Sequence, residues 1–287
     1  MSANGFDGLE AARQVAVPSP LKDKLQAGQL AHALSIKIVS SIEVIGFAKA
    51  SGYDCVLIDL EHSPFGLETT NQLSCAALSL GLTPIVRVPA NTSDWISRTL
   101  DGGAQAIIVP HVNSAAEAAN VVKYARFAPL GERSATGTMP MLRYANVPAK
   151  YANPVCNDLV TVICMIETER ALEDVDSIAA VPGVDVLLIG CGDLTSDMGI
   201  PGDMGNPRVE AAFERVSAAA KKASVNGRLV SVGFGGLHGR LDLVEKFAKK
   251  LDNARFVMAG ADNTFLLQAV TDGGAAITKV ANSIAGK

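Results

Sequence analysis

The chain has 287 residues, 48% hydrophobic and 19% charged, with a net charge of −4. That is long enough for one α/β barrel or two smaller domains, and too apolar for a disordered chain. The weak negative charge and the lack of any Lys/Arg block exclude an electrostatic case for nucleic acid, and no apolar run approaches the roughly 20 residues that span a bilayer.

Residues 1–30 precede the first predicted strand and are expected to pack outside the domain formed by residues 31–287. Their start, MSANGFDGLEAARQ, has no apolar signal core. The predicted strand at 35–39 is followed by a helix at 42–50, the strand at 55–59 by a helix at 67–80. The strand at 84–88 precedes a helix at 93–101, and that at 106–112 a helix at 115–125. A long connection then runs from 126 to 159 with four Pro and two Gly, which marks a functional or irregular loop. Strands at 160–166, 184–189, 229–233 and 255–259 follow, each before a helix: 170–180, 207–224, 241–251 and 263–282. Eight strands each followed by a helix predict a single-domain (β/α)8 TIM barrel. The runs VLIDL, AIIVPHV, VTVICMI and VDVLLIG are almost wholly apolar, as parallel strands covered on both faces should be.

Five cysteines, at 55, 75, 156, 164 and 191, form no CxxC pair. Neither a zinc site nor a disulfide framework is indicated. Reduced thiols in a cytoplasmic protein are expected, and the closing SIAGK shows no retention or lipidation signal.

Catalytic groups of such barrels gather at the C-terminal ends of the strands. There the chain places Asp59, Glu61, His62, Arg87, His111, Glu167 and Asp193. Glu167 and Asp193 follow neighbouring strands and suit a hard divalent ion, Mg2+ or Mn2+. Each also reads as an acid at a helix start. Gly190-Cys191-Gly192 would let backbone N–H groups approach a small carboxylate, or simply form a tight turn. Arg87 calls for an anion, either a substrate oxygen or a structural partner in Asp59 or Glu61. Asp59 stands three residues before His62 and could orient its imidazole as a general acid/base, or cap a solvated turn. His111 and His238 read as structural or rim residues.

The segments DCVLIDLEHSPF, IVRVPANTSDWISRTLDGGAQAIIVPHVNSAAEA, VICMIETERAL and VDVLLIGCGDLTSDMG, with ADNTFLL near the end, resemble the HpcH/HpaI aldolase family. The resemblance runs from about residue 30 to residue 270. It implies a class II pyruvate aldolase that reversibly cleaves a 4-hydroxy-2-oxo acid to pyruvate and an aldehyde. It further implies that Glu167 and Asp193 ligate the divalent metal, with Co2+ as another candidate ion. Gly190, Cys191, Gly192 and Asp193 would surround the pyruvate carboxylate, Arg87 would steady the enolate oxygen, and Asp59 with His62 would move the proton. Glu61 matches the motif without a defined role. Two further implications are a last helix swapped between subunits of a homo-oligomer, hexamer or trimer, and closure of the site by a stretch near residues 126–137.

The chain departs from the family pattern at Met165, where Gln is usual, at Cys191, where Pro is usual, and at Ala90, where Trp is usual. These changes motivate an alternative that keeps the enolate chemistry: an oxaloacetate decarboxylase or carbon–carbon bond-forming enzyme of the macrophomate synthase kind. A third reading is a catalytically silent barrel that binds an oxo acid.

Overall fold

The computed structural model describes residues 8–286. Residues 1–7 of the expected extension and Lys287 lie outside the described residues. The chain opens with α1 (Leu9–Val15) and α2 (Pro20–Gln26). Four strand–helix units follow: β1 (Ala31–Ile36) and α3 (Glu43–Ala50), β2 (Cys55–Asp59) and α4 (Leu67–Ser79), β3 (Thr83–Arg87) and α5 (Ser93–Asp101), β4 (Ala106–Val109) and α6 (Ala115–Ala125). A 3-10 turn at Pro140–Leu142 and α7 (Ala149–Leu159) lead to β5 (Thr161–Ile166), after which α8 (Glu169–Glu173) and α9 (Val175–Ala180) replace the one predicted helix. Then come β6 (Val186–Gly190), α10 (Cys191–Asp197), α11 (Pro207–Ala223), β7 (Ser231–Gly235), α12 (Leu241–Lys250), β8 (Ala254–Ala261) and α13 (Asp262–Ile284).

The eight strands are parallel and close into a barrel in sequence order, with β8 pairing β1. Strand side chains alternate between two buried layers. One layer, which includes Val56, Val86, Ile107 and Leu187, meets the surrounding helices. The other, which includes Ala33, Leu57, Ile85, Ile108, Ile163 and Leu188, fills the barrel interior.

Within the expected extension, helix α2 does not pack outside. Ser19 caps α2, Pro20 starts it, and Leu21 and Leu25 join the interior cluster. The Leu21 N–H donates to Thr83 Oγ1 at 3.0 Å. The small residues Ala31, Thr83 and Ala106 at the strand starts leave room that the two leucines fill. Burying each contributes about 1.5–3 kcal/mol.

The connection between α6 and β5 is anchored at the same end. Arg126 donates to the carbonyl of Val160 at 2.8 Å and to the Asp185 carboxylate at 2.6 Å. Arg133 pairs with Asp101 at the end of α5. Within one chain, therefore, the stretch at 126–137 is held at the strand starts, far from the tips it was expected to close.

The last helix leaves the barrel. Beyond Asp262 it is exposed throughout, including Phe265, Leu267, Val270, Ile277 and Ile284. Beside its root lies an apolar groove of about 670 Å3 lined by Leu34, Val44, Phe47 and Tyr53. No described helix is long and apolar enough to cross a membrane.

Candidate active site

Parallel register sets Asp59 of β2 opposite Arg87 of β3. Asp59 is fully buried. Its Oδ1 accepts from Arg87 Nε at 2.9 Å, and its Oδ2 from Arg87 Nη2 at 2.5 Å. Oδ1 also accepts the backbone N–H of Glu61 at 3.1 Å and of His62 at 3.2 Å. Burial opposes the charged carboxylate, but these donors outweigh it and hold Asp59 below the ordinary carboxylate range. Arg87 also reaches Glu61 Oε2 through Nη1 at 3.0 Å. The structural partner foreseen for Arg87 is thus formed twice over. Nη1 and Nη2 each retain a second N–H.

The pairing expected between the Asp59 carboxylate and the His62 imidazole is not formed. The carboxylate turns inward to Arg87 and takes only the main-chain N–H of His62. The ring is half-exposed, with Nε2 3.7 Å from Glu61 Oε2. Asp59 thus fixes the direction of the Arg87 guanidinium, and the acid beside His62 is Glu61.

Glu167 directly follows β5 and is buried. Its Oε1 accepts the backbone N–H of His111 at 2.6 Å and lies 3.1 Å from His111 Nδ1. His111 adopts φ 54, a left-handed conformation that costs on the order of 1 kcal/mol and is held here by the carboxylate. His111 Nε2 is 3.8 Å from Glu61 Oε1, so this histidine links two acids rather than idling at the rim. The Pro110-His111 pair at a strand end was the only sequence signal for it. Burial pushes the Glu167 carboxyl up; His111 pulls it back, and Asp193 and Glu61 push it further.

Gly190 makes room for that carboxylate. A Cβ there would lie 2.6 Å from Glu167 Oε2 and 2.9 Å from Met165 Cε. Cys191 and Gly192 start α10, and Asp193 is exposed on its first turn. Burial raises the Cys191 thiol to about 12, so it stays protonated and is no nucleophile.

A cavity of about 220 Å3 gathers His62, Arg87, Met165, Gly190, Cys191, Gly192 and Asp193. Lys37 and His238 line it as well. Lys37 falls inside the predicted strand at 35–39, and His238 carries no site signal in the sequence. Asp59 stands behind Arg87, and Glu167 behind Gly190. At Ala90, where the resembling family has Trp, a separate hollow of about 560 Å3 opens beside His111.

Among the described residues no three His, Cys, Asp or Glu converge on a common metal position. Glu167 and Asp193 nonetheless suit a hard divalent ion that keeps positions for water and substrate oxygens. Burial, with repulsion from Asp193 and Glu61, works against a charged Glu167, and a divalent cation relieves both.

Residues 39–269 match the model of the HpcH/HpaI aldolase/citrate lyase family, and the chain belongs to that family. It is 41% identical to a 4-hydroxy-4-methyl-2-oxoglutarate aldolase of Hapsidospora irregularis, over 88% of this chain and 92% of the relative. A 4-hydroxy-4-methyl-2-oxoglutarate aldolase of Chaetomium globosum is 37% identical over 90% and 94% of the two chains. The crystal structure of an HpcH/HpaI aldolase from Desulfitobacterium hafniense superposes with a TM-score of 0.80 at 29% identity, covering 90% of this chain and 96% of that one.

Proposed function

We propose that this protein cleaves a 4-hydroxy-2-oxo acid to pyruvate and a carbonyl compound, and forms the same bond in reverse. The chain is a carbon–carbon lyase of the aldolase type. The observation that carries the reading is the meeting of Arg87 and Asp193 in one cavity with buried Glu167 directly behind it. The two relatives named above make 4-hydroxy-4-methyl-2-oxoglutarate the first substrate to try.

Glu167 and Asp193 would hold a divalent ion, Mg2+ or Mn2+. When bound it supplies positive charge where the 2-oxo oxygen gains electrons. The remaining N–H groups of Arg87 add donors for that oxygen, and the Asp59 fork fixes their direction. The C4 hydroxyl gives up its proton as the C3–C4 bond breaks, C4 becomes a carbonyl, and the bonding electrons leave as the pyruvate enolate. His62 receives the proton, with Glu61 next to the ring stabilising the imidazolium. Protonation of C3 completes pyruvate. The backbone of Gly190, Cys191 and Gly192 borders the same cavity and would face the pyruvate carboxylate.

The exposed apolar length of α13 and the open groove at its root support exchange of this helix between copies in a homo-oligomer.

The test is pyruvate release from 4-hydroxy-4-methyl-2-oxoglutarate with Mg2+ or Mn2+, then with chelator. Release that stops on chelation supports the reading. Glu167→Gln should lower kcat/KM on the order of a thousandfold with an unchanged circular dichroism spectrum. Full activity in that variant would remove Glu167 from the metal site.

A further inference from the structure

Lys37 follows β1 directly, and its side chain enters the cavity that holds Arg87 and Asp193. Its main chain is pinned in place. Asp262, buried at the start of α13, accepts the N–H groups of Lys37 at 2.9 Å, Ile38 at 3.0 Å and Val39 at 2.8 Å. The ammonium lies 3.4 Å from Asp59 Oδ2, its only acidic neighbour among the described residues. That carboxylate is already gripped by both arms of Arg87. Arg87 in turn spends its arms on Asp59 and Glu61. Lys37 is therefore the cation in this cavity with the least of its donor capacity committed. Lys37 and Arg87 share the Asp59 Oδ2 atom, and the ammonium keeps N–H donors for an anion that enters the cavity. His62 and His238 are the other groups of the cavity that can become positive.

We infer that Lys37 binds a second carboxylate, the one carried by the half of the substrate that does not become the enolate. The acceptor class would then be a 2-oxo acid rather than a neutral aldehyde. This rests on the pyruvate aldolase reading above and narrows it. The balance is simple when C4 carries both methyl and carboxylate. Breaking the C3–C4 bond and moving the hydroxyl proton to C3 turns one dicarboxylate into two pyruvates.

The test compares two substrates that share the donor half: 4-hydroxy-4-methyl-2-oxoglutarate and 4-hydroxy-2-oxopentanoate, which lacks the second carboxylate. With Mg2+ or Mn2+ present, the native protein should favour the dicarboxylate in kcat/KM by about tenfold or more. Lys37→Met should erase most of that preference, chiefly through KM, and Lys37→Arg should restore much of it. A preference that survives in Lys37→Met overturns the inference. So does an equal proportional loss on both substrates, because a mere counter-ion of Asp59 would act on both alike. If the native protein releases no pyruvate from either substrate, the aldolase reading fails and takes the inference with it.

Discussion

At the end of β2, Asp59 is buried among two arms of Arg87 and two backbone N–H groups. At the end of β5, Glu167 is as deeply buried, but its hydrogen-bond donor among the described residues is His111, and Asp193 and Glu61 repel its charge. The first carboxylate is satisfied by the chain itself, and the second calls for a cation from outside. Removing the charge of Asp59 leaves Arg87 with Glu61 alone, so Asp59→Asn should cost about 3 kcal/mol. Because the folded Asp59 ionises below its ordinary range, its stabilisation is fully present above that range. It is lost as pH falls through the lowered value. Urea midpoints for the native and Asp59→Asn proteins should therefore differ most near neutral pH and converge below about pH 4. A constant gap across that window would show that the carboxylate charge is not the source. The acids and the Arg at the strand ends of the candidate site could be read from the sequence, because such residues after apolar runs are conspicuous, whereas Lys37 lay hidden inside the predicted strand at 35–39. Their partnerships could not. Whether Asp59 turns to Arg87 or to the His62 ring depends on the β2–β3 register and on a turn that presents two N–H groups.

The strand–helix alternation was legible because each strand is a short apolar run covered on both faces. The misplaced element is instructive. Residues 35–39, SIKIV, have the period of a strand, yet β1 ends at Ile36. The next three N–H groups go to the Asp262 carboxylate instead of a neighbouring strand, a contact 223 to 225 positions away along the chain. Helix α7 escaped notice because Pro154 lies inside it, where proline normally breaks a helix. Helix α2 escaped because a seven-residue segment before the first strand carries little periodic signal. Its packing, however, is central. Leu21→Ala should destabilise the protein by about 2–5 kcal/mol through the cavity left in the barrel floor. A denaturant midpoint equal to that of the native protein would place Leu21 outside the core.

The whole molecule is asymmetric along the barrel axis. One end is sealed by leucines and the α6–β5 connection, and the other is open and lined with ionisable groups. The exposed apolar helix α13 lies across neither end, and nothing among the described residues of a single chain covers it. If copies exchange this helix, Leu267→Asp should lower the mass measured by light scattering to that of a smaller species. An unchanged mass would separate α13 from assembly. Oligomerisation was legible only through the family resemblance, because an apolar stripe on a helix reads the same whether it faces its own barrel or another copy.

The leucine floor has a consequence for biosynthesis. Helix α2 leaves the ribosome more than 200 residues ahead of Phe256 of β8, which belongs to the ring it plugs. Until β8 is made, Leu21 and Leu25 have no finished socket. The nascent chain must hold a sticky N-terminal segment until the eighth strand emerges, so holdase binding at residues 20–26 should end with ring closure.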